Sequence, residues 1–457
     1  MSELHIIILA AGKGVRMHSS LPKALQPLAG KPMLYYVLQR AQELNPTMIH
    51  LVYGFGGDKI RAALTDDQLN LVEQKEQLGT GHAVQQVLPH LPKQGRVLVL
   101  FGDVPLVSLA SLHNLIKSTP AEKIGLLTAN LSDPTGFGRI VRDASYAITG
   151  IVEEKDATSE QRAIAEINTG IMLFPVSFLH KYLLKLQSVN AQHEYYLTDV
   201  IVLAKQNGCD VVASKVKETW EVMGVNDKLQ LAQLERCYQK NKAEQLLRKG
   251  VTLIDPLRFD LRNELDDIEV GQDVVIDVNV ILAGEISLGD QTKVGANCCL
   301  TNVKIGKNVV IQPNCVIENA VIDDDCVIGP FARIRPDSHI KKGAHIGNFV
   351  EIKKSTVGER SKVNHLTYLG DTIVGEKVNI GAGTITCNYD GVNKYQTVIE
   401  DGAFIGSNSQ LVAPVCIGKN ATIGAGSTIT EDAPAGKLTL ARAKQVTIEG
   451  WKRSDKN

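Results

Sequence analysis

Residues 328–354 read IGPFARIRPDSHIKKGAHIGNFVEIKK, and an isoleucine returns at every sixth position. Glycine follows the apolar residue at two of these positions, in Ile328-Gly329 and Ile346-Gly347. Such a hexapeptide repeat is typical of a parallel β-helix, in which each short strand places one apolar side chain inward and a turn follows. After a one-residue slip and a later interruption, the same period includes Val357, Val363, Leu369, Ile405, Leu411, Ile417, Ile423 and Ile429.

The residue types around this repeat support the same fold. From Val270 to Ile429 there are 41 Val or Ile residues and six Leu residues. β-branched side chains suit pleated strands and disfavour helices, so this half of the chain is predicted to consist of strands. A solenoid core of stacked Val and Ile has little room for rings, which accounts for an aromatic content of only 5%.

The first 227 residues follow another pattern, in which short apolar runs alternate with longer amphipathic stretches. This alternation predicts an α/β domain with a largely parallel sheet. The apolar runs are residues 6–9, 49–52, 97–101 and 124–127, and the amphipathic stretches include 33–44 and 108–116.

Between the two halves, residues 228–249 carry spaced leucines among charged and glutamine side chains, and Gly250 follows. This predicts a long connecting helix that ends at a glycine. We therefore expect an α/β domain over residues 1–227, a linker helix over 228–250 and a β-helix domain over 251–457 that ends in a basic arm.

Composition argues against several classes of function. The chain has 457 residues and a formal net charge of -1, which leaves no global field to attract nucleic acid or an acidic membrane. No apolar run approaches the length of a membrane span, and Glu3 precedes the first apolar run where a signal peptide would be basic. The eight cysteines lack zinc-binding spacing and are expected to be free thiols in a reducing cytoplasm.

A glycine-rich segment follows the first predicted strand. Gly12 and Gly14 let backbone amides approach a phosphate chain, and Lys13, Arg16 and Lys23 add the positive charge that a triphosphate needs. The third glycine of a dinucleotide fingerprint and the spacing of a Walker motif are both missing. The segment therefore predicts a phosphate site of neither the NAD-binding nor the P-loop type.

A second candidate residue stands after another predicted strand, Val97–Phe101. Asp103 follows this strand, and open α/β sheets bind ligands at the carboxyl ends of their strands. Mg²⁺ keeps several waters and usually takes one or two protein oxygens plus substrate phosphates. Asp103 is therefore a candidate magnesium ligand, with a helix cap or turn residue as the alternative.

Charged and polar residues cluster in the middle of the hexapeptide repeat. Arg335 and Lys353 are 18 residues apart, which is one coil of three hexapeptides, so they should stack as adjacent cations with residue 371 roughly above them. His365 falls on another face of the prism, so bringing it to these cations calls for a neighbouring subunit. The spacing over residues 380–405 is not a multiple of six, so a loop must leave the β-helix there.

Three longer motifs resemble known families. LAAGKGVRM at residues 9–17, followed by Pro-Lys at 22–23, resembles the signature of sugar-phosphate nucleotidyltransferases. NHLTYLGD at 364–371 and NIGAGTITCNYDG at 379–391 resemble the acetyltransferase half of the bifunctional N-acetylglucosamine-1-phosphate uridylyltransferases/glucosamine-1-phosphate N-acetyltransferases. The resemblance to this bifunctional family covers nearly the whole chain, residues 8–451.

The resemblance implies a Rossmann-like nucleotidyltransferase domain followed by a left-handed parallel β-helix. It implies two consecutive reactions: acetyl-CoA and glucosamine-1-phosphate give N-acetylglucosamine-1-phosphate, which then reacts with UTP to give UDP-N-acetylglucosamine and pyrophosphate. It also implies Mg²⁺ as cofactor, a cytoplasmic homotrimer with sites between subunits, and a product used for peptidoglycan and lipopolysaccharide.

In the nucleotidyltransferase half, the resemblance implies that Mg²⁺ binds to Asp103 and Asn226. It implies that Gly138, Glu153 and Asn168 contact the sugar. The residues implied to bind UTP or UDP-N-acetylglucosamine are Leu9, Ala10, Ala11, Gly12, Arg16, Lys23, Gln74, Gly79, Thr80, Phe101, Gly102, Asp103, Gly138, Glu153, Asn168 and Asn226.

In the acetyltransferase half, the resemblance implies that His365 takes the proton from the glucosamine amine as the amine attacks the acetyl thioester. A covalent acetyl group on Cys387 stays open as an alternative to direct transfer. Glucosamine-1-phosphate is implied to bind to Arg335, Lys353, Tyr368, Asn379 and Lys394, and acetyl-CoA to Ala382, Asn388, Tyr389, Ser407, Ala425 and Arg442.

Two other interpretations remain open at this point. One is a nucleotidyltransferase of the ADP-glucose or GDP-mannose type whose β-helix is regulatory. The other is a β-helix that only joins subunits into a trimer. The motifs at residues 364–371 and 379–391 favour the bifunctional interpretation over both.

Overall fold

The computed structural model describes residues 3–64, 69–262 and 268–454. The chain divides into two compact units, Met1–Tyr238 and Gln239–Asn457. The boundary falls inside a helix, Lys228–Arg248, which lies within the predicted linker segment. In the described ranges, no helix combines the length and the apolar character that a membrane crossing needs.

The first unit alternates strands and helices. Its strands are β1 Leu4–Ala10, β2 Pro27–Leu28, β3 Lys31–Pro32, β4 Met48–Tyr53, β5 Leu69–Glu73, β6 Arg96–Phe101, β7 Ile124–Asn130, β8 Gly138–Arg142, β9 Ile148–Val152, β10 Glu166–Pro175 and β11 Val211–Lys215. Its helices are α1 Met33–Glu43, α2 Gly57–Ala63, α3 Thr80–Val87, α4 Leu109–Ser118, α5 Ser159–Arg162, α6 Val176–Tyr182 and α7 Val200–Gln206, and the boundary helix is α8 Lys228–Arg248.

Most strands of the first unit form one mixed sheet with the order β5-β4-β1-β6-β10-β7-β11. Neighbouring strands are parallel except for β10, which runs antiparallel to β6 and β7. The β8–β9 hairpin extends from β10. The predicted α/β domain with a largely parallel sheet is therefore confirmed.

Strand β1 shows why this sheet forms and where a ligand can reach it. Ile7 packs into the core on one face of the sheet and Ile8 into the core on the other, and neither is accessible to solvent. An unbroken apolar run is what a strand covered on both faces requires. Because β1 and β6 are parallel neighbours, with Leu9 opposite Phe101, the glycine-rich segment and Asp103 emerge at the same carboxyl edge.

The second unit consists mainly of short strands. In chain order these are β12 Thr252–Leu253, β13 Phe259–Arg262, β14 Ile268–Val270, β15 Val275–Ile276, β16 Val280–Leu288, β17 Lys293–Val294, β18 Cys299–Ile305, β19 Val310–Ile311, β20 Val316–Ile322, β21 Val327–Ile328, β22 Arg333–Ile334, β23 Ser338–Ile340, β24 His345–Asn348, β25 Glu351–Lys353, β26 Thr356–Val357, β27 Lys362–His365, β28 Tyr368–Gly370, β29 Thr372–Val374, β30 Asn379–Ile380, β31 Ile385–Cys387, β32 Thr397–Ile399, β33 Phe404–Ile405, β34 Gln410–Val412, β35 Val415–Ile417, β36 Thr422–Ile423, β37 Thr428–Ile429 and β38 Leu438–Thr439.

These strands stack in parallel along three faces of a prism. Face A contains β21, β24, β27, β30, β33 and β36, face B contains β23, β26, β29, β32 and β35, and face C contains β22, β25, β28, β31, β34 and β37. On face A, Ile328, Ile346, Val363, Ile380 and Ile405 lie directly above one another and are buried. The predicted parallel β-helix is confirmed, because the residues on the six-residue period are the ones that the coils bury.

One edge of the prism, between faces A and C, has an unusual series of residues at its turns. In the earlier coils this turn holds asparagines with positive φ, which tolerate the left-handed conformation. In the next coils it holds three bulky apolar residues with φ between 47° and 56°. We call these three residues the aromatic column, after the two phenylalanines among them. The asparagines are Asn279, Asn297 and Asn314, and the aromatic column is Phe331, Phe349 and Leu366.

The aromatic column lies on the surface of its own chain. Phe331 is 50% exposed, Phe349 is 55% exposed and Leu366 is 62% exposed. The rings of Phe331 and Phe349 stack with a centroid distance of 5.3 Å. Bulky side chains in left-handed turns carry backbone strain, and an apolar group in water adds to that cost, so the column needs a further contact to account for it.

Candidate active sites

A cavity of about 520 Å³ lies at the carboxyl edge of β1 and β6 in the first unit. This volume is in the range of small-molecule sites. Polar groups of Lys13, Gln77 and Glu194 line part of it. The predicted nucleotide-site residues that line the cavity are Leu9, Ala10, Ala11, Gly12, Lys23, Gln74, Gly79, Thr80, Phe101 and Asp103.

Arg16 and Gly102 are among the predicted nucleotide-site residues that do not line the cavity. Arg16 is exposed on the short 3₁₀ helix Val15–Met17. Gly102 lies between strands, and a Cβ at this position would come within 3.1 Å of the Cβ of Ala10. Gly102 therefore allows β1 and the segment after β6 to approach each other.

Asp103 and Asn226 are brought together by Lys23. The Nζ of Lys23 forms an ion pair with Asp103 Oδ2 and donates a hydrogen bond to Asn226 Oδ1 at 3.2 Å. Two oxygens of the kind that Mg²⁺ takes thus converge on a single cation, so this donor set fits a magnesium ion. Within the part of the chain that the structure describes, no group of three or more His, Cys, Asp and Glu side chains could hold a metal.

The segment from Gln74 to Thr80 is held in place by hydrogen bonds of the protein itself. Gln74 Nε2 donates to the Gly79 carbonyl at 3.2 Å, and Thr80 Oγ1 accepts from the Leu197 amide at 3.1 Å. Gly79 has a φ of 108°, and a Cβ here would lie 2.6 Å from the carbonyl oxygen of Tyr195. Only glycine fits this position, so the wall of the cavity at this point has a defined shape.

The three predicted sugar-binding residues lie next to one another. Gly138 is opposite Asn168 in the β8–β10 pairing, and the carboxylate of Glu153 lies 3.3 Å from where a Cβ of Gly138 would sit. Thr198 Oγ1 donates a hydrogen bond to Glu153 at 3.0 Å. Burial raises the pKa of Glu153, and the nearby Asp199 acts in the same direction. These residues form one polar group outside the lining of the 520 Å³ cavity.

Arg139 is a residue of this region that sequence reasoning missed. Its side chain is buried, and its guanidinium donates to the carbonyls of Phe137 and Arg162. It also pairs with the Glu154 carboxylate at 2.7 Å, and Glu154 accepts from the Gly136 amide at 3.2 Å. Arg139 therefore ties together three segments around the predicted sugar contacts. Its place directly after Gly138 was the available sequence signal.

In the second unit, three predicted cations converge at face C. Arg335 and Lys353 lie one coil apart as predicted, since Arg333 pairs with Glu351 in the strand register. The ammonium of Lys394 beside Lys353 lowers the pKa of Lys353, and Arg335 adds to this effect. Glu351 pairs with Arg335 at 2.8 Å. A cluster of one guanidinium and two ammonium groups can donate several charged hydrogen bonds to a phosphate group.

The predicted third member of this stack is displaced by one residue. Lys353 lies opposite Gly370, because this coil contains 17 residues and not 18. Asp371 is at the turn, where its amide donates to the Lys353 carbonyl at 3.1 Å and its carboxylate accepts from Asn388 Nδ2 at 2.6 Å. The rough alignment predicted for residues near 335, 353 and 371 is therefore confirmed, with Gly370 as the residue in register. Tyr368, another predicted residue, is on face C in β28.

His365 lies on face A, at the end of β27. Its Nδ1 is 2.9 Å from Oδ1 of Asn348, its neighbour in the preceding coil. A carbonyl oxygen only accepts hydrogen bonds, so Nδ1 carries the hydrogen and Nε2 is left to accept a proton. Asn379 is also on face A, whereas Arg335 and Lys353 are on face C. Sequence reasoning missed Asn348, because its partner is a full coil away.

Three of the residues predicted to bind acetyl-CoA form a column along the β-helix. Ala382, Ser407 and Ala425 each follow an inward isoleucine of face A by two residues, and those isoleucines are in register. Arg442 Nη1 donates a hydrogen bond to the Ala425 carbonyl at 2.7 Å. This column therefore consists of small residues and has a cation at one end.

A loop leaves the β-helix between β31 and β32, as predicted from the irregular spacing. Tyr389 and Lys394 form an isolated antiparallel bridge across it, and Tyr389 is exposed. Asn388 at its base is buried against Asp371. Burial raises the pKa of the Cys387 thiol, which disfavours the thiolate. All eight cysteines are unpaired.

The two units define a two-domain transferase, with a nucleotidyltransferase-type α/β unit and a hexapeptide β-helix. The family model of the MobA-like NTP transferase domain matches residues 6–161. The hexapeptide repeat of succinyl-transferase matches residues 285–319, the GMPPB C-terminal domain matches 316–389 and the bacterial transferase hexapeptide matches 396–431. These matches confirm the predicted Rossmann-like domain and the predicted left-handed parallel β-helix.

Relatives match along almost the whole chain. The bifunctional protein GlmU of Nitrosospira multiformis is 52% identical over 454 residues, which cover 99% of this chain and 98% of that protein. The GlmU of Chromobacterium violaceum is 52% identical over 456 residues, with coverages of 100% and 99%. This chain belongs to the GlmU family. It is a bifunctional enzyme with uridylyltransferase and N-acetyltransferase activities, which sets aside a regulatory or purely structural β-helix.

A more distant likeness is found among solved structures. The crystal structure of a UDP-glucose pyrophosphorylase complexed with UDP-glucose is 16% identical, with a TM-score of 0.44 over 53% of this chain and 100% of that one.

Proposed function

We propose that uridylyl transfer takes place in the 520 Å³ cavity of the first unit and that acetyl transfer takes place at His365 of the second. The observation that carries the first assignment is the convergence of Asp103 and Asn226 on one cation beside the glycine-rich segment. The acetyl step comes first, because its product is the sugar phosphate that UTP then activates.

In the proposed uridylyl transfer, a phosphate oxygen of N-acetylglucosamine-1-phosphate attacks the α-phosphorus of UTP and the bond to pyrophosphate breaks. Lys23 and Arg16 offset the negative charge that develops on the phosphates. Mg²⁺ bound to Asp103 and Asn226 would supply further positive charge to them. The polar group of β8, β9 and β10 takes the sugar, and the rigid 74–80 segment takes the base.

In the proposed acetyl transfer, Nε2 of His365 accepts a proton as the glucosamine amine attacks the acetyl thioester, the C–S bond breaks, and the CoA sulfur leaves as a thiol after His365 passes that proton to it. Asn348 keeps His365 in the tautomer that can do this, since its carbonyl oxygen faces Nδ1. Arg335, Lys353 and Lys394 hold the phosphate of the sugar. Acetyl-CoA lies along the column of small residues that ends at Arg442.

We further propose that the enzyme is a homotrimer in which adjacent chains complete each acetyltransferase site. His365 and the cations Arg335 and Lys353 lie on different faces of one prism, so one chain does not assemble them around one sugar. The aromatic column is next to His365 and is exposed on its own chain. A second copy of the chain would cover the column and bring its cations towards His365.

The proposed partners are small molecules, and the proposed compartment is the cytoplasm. Unpaired cysteines fit a reducing compartment. The cation clusters at both sites suit phosphate-bearing substrates of limited size. Nucleic acid is not among the proposed ligands, because the net charge of -1 provides no long-range attraction.

A coupled assay with acetyl-CoA, glucosamine-1-phosphate, UTP and Mg²⁺ tests these assignments, with free thiol and pyrophosphate followed separately. Asp103→Asn should lower pyrophosphate release by roughly three orders of magnitude, since it removes a charged ligand at the reacting phosphates. Thiol release should stay at the wild-type rate. Loss of both activities in this variant would contradict two independent sites.

A further inference from the structure

The contact of Lys23 with both proposed metal ligands points to a role beyond phosphate binding. We propose that Lys23 is an exchangeable cation. Its ammonium neutralises Asp103 while the nucleotide is absent, and it moves to the phosphates of UTP as Asp103 and Asn226 pass to the metal. This inference rests on the magnesium site of the proposed function.

The burial of the pair explains why Asp103 needs a resident cation. The side chains of Lys23 and Asp103 are only 19% and 17% exposed. A carboxylate in such a place is costly when it has no partner, because solvent no longer compensates its charge. Lys23 provides that compensation, and its second contact with Asn226 aligns the amide oxygen beside the carboxylate.

The geometry makes the two cations mutually exclusive. One nitrogen atom contacts both Asp103 Oδ2 and Asn226 Oδ1. Mg²⁺ binds to oxygen at about 2.0–2.1 Å, so an ion that contacts both oxygens would occupy the space that the ammonium takes. Lys23 must therefore withdraw its ammonium when the metal binds.

The structure also provides a route for this movement. The Cβ of Lys23 lies 2.8 Å from where a Cβ of Gly14 would be, so the absence of a side chain at Gly14 gives the lysine stem its place beside the glycine-rich segment. The base of the side chain is thus held beside the glycine-rich segment, where the phosphates are proposed to bind, while its ammonium reaches the proposed metal ligands. A four-carbon stem lets the ammonium swing between them while the backbone stays fixed.

The exchange has a thermodynamic consequence. When the phosphates of the nucleotide attract Lys23, Asp103 becomes available to the metal. When the metal binds to Asp103, Lys23 becomes available to the phosphates. Binding of the nucleotide and of the metal is therefore cooperative, and the coupling must be reciprocal. Removing the ammonium should abolish the competition and tighten the binding of a free divalent ion.

The test measures Mn²⁺ binding to the full-length enzyme without nucleotide, by electron paramagnetic resonance of the free ion. Mn²⁺ is used because it prefers the same oxygen ligands as Mg²⁺. Lys23→Met should bind Mn²⁺ at least about tenfold more tightly than wild type, the size of a lost charged hydrogen bond. Lys13→Met is the matched control, because Lys13 lines the same cavity and carries the same charge. It should change the affinity by less than about twofold.

Three further variants separate the possible outcomes. In Asp103→Asn/Lys23→Met the gain in Mn²⁺ affinity should disappear. If Lys23→Met behaves like Lys13→Met while Asp103→Asn weakens Mn²⁺ binding, the exchange is overturned and the metal site stands. If the gain survives Asp103→Asn, the metal site and the exchange are both wrong. Lys23→Gln is measured in parallel, with thermal melting as the check of folding, so that the result does not depend on one substitution.

Discussion

The two units build their proposed sites in opposite ways. In the first unit, Gly12, Gln74 and Asp103 come from distant segments of one chain and line a single cavity. In the second, His365 and Arg335 lie on different faces of one prism. An open sheet gathers its loops at the carboxyl edge, whereas each coil of a solenoid contacts only its neighbours, so residues on different faces of the prism stay apart. Oligomerisation is therefore part of the proposed site in one unit and not in the other.

Mixing two kinds of inactive chain tests whether adjacent chains share an acetyltransferase site. His365→Ala and Lys353→Met should each lower acetyl transfer, the first by roughly 10²–10⁴-fold as expected for loss of a general base. Trimers formed from an equal mixture should recover about a quarter of the wild-type rate, because a site works only where an intact His365 meets an intact Lys353 of the adjacent chain. Thiol release from CoA measures the recovery.

The first unit provides the matched control for this experiment. Asp103→Asn and Gln74→Ala lie in the same cavity of one chain, so an equal mixture of these two variants should show only the mean of their separate pyrophosphate release rates. Recovery of uridylyl transfer in this mixture, or its absence in the acetyl transfer mixture, would contradict the contrast between the units.

The aromatic column offers the next largest effect. Phe331→Asp/Phe349→Asp should raise the dissociation constant of the trimer by at least about 100-fold, since two half-exposed rings that lose an apolar partner cost about 3 kcal/mol. Light scattering after size exclusion measures the oligomer, and acetyl transfer should fall as the protein is diluted. Val189→Asp is the control, because Val189 is 89% exposed in the first unit and should leave the oligomer intact.

A buried histidine pair gives the first unit a dependence on acid. His50 Nε2 lies 3.2 Å from His5 Nδ1 in the core of the sheet, and Asn70 Nδ2 lies 2.8 Å from His50 Nδ1. Burial lowers the pKa of His50 to about 4, and His5 and His90 act in the same direction. Below pH 6.5 the unfolded chain therefore binds a proton that the folded unit does not, so the free energy of unfolding falls as the pH falls.

The expected loss for this one group is about 2 kcal/mol between pH 7.5 and pH 5. Urea denaturation followed by the fluorescence of Trp220, in a Trp451→Phe background, would report on the first unit. His50→Gln should remove most of the loss. His339→Gln, which alters a half-buried pair with Asp323 in the second unit, should not. An equal loss in wild type and His50→Gln would show that another group is responsible.

Substitution of Arg139 is expected to have the smallest effect and tests whether this residue positions the sugar contacts of the first unit. Arg139→Met should raise the KM for N-acetylglucosamine-1-phosphate by about tenfold, since it frees the segments that hold the sugar contacts and leaves carbonyls unpaired. The kcat should change by less than about threefold, and acetyl transfer should not change. Arg139→Lys should restore part of the KM. A fall in kcat and melting temperature at constant KM would instead indicate a purely structural role.

The parts of this protein that sequence reasoning predicted are those that depend on local order. The inward isoleucines of face A follow from their period, because each coil repeats the same strand and turn. The glycine-rich segment and Asp103 follow from their place after apolar strands, since the ends of parallel strands meet at one edge.

Other features depend on partners that no short pattern contains. Lys23 and Asn226 are 203 residues apart and Asn348 is 17 residues from His365. The coil that begins at Lys353 has 17 residues, so Gly370 and not Asp371 is in register with Lys353. The length of a single coil depends on one turn residue, which the average period of the repeat does not specify.

The amino-acid sequence by itself determined the two folds, their order, the family and the residue types of both sites, because periodicity and motifs are written along the chain. Only the tertiary structure decided that Lys23 joins Asp103 to Asn226, that Arg139 ties the sugar region together, and that Asn348 contacts Nδ1 of His365. Contacts between distant segments depend on strand register and twist that accumulate over many residues. A pattern six residues long does not specify this accumulated geometry.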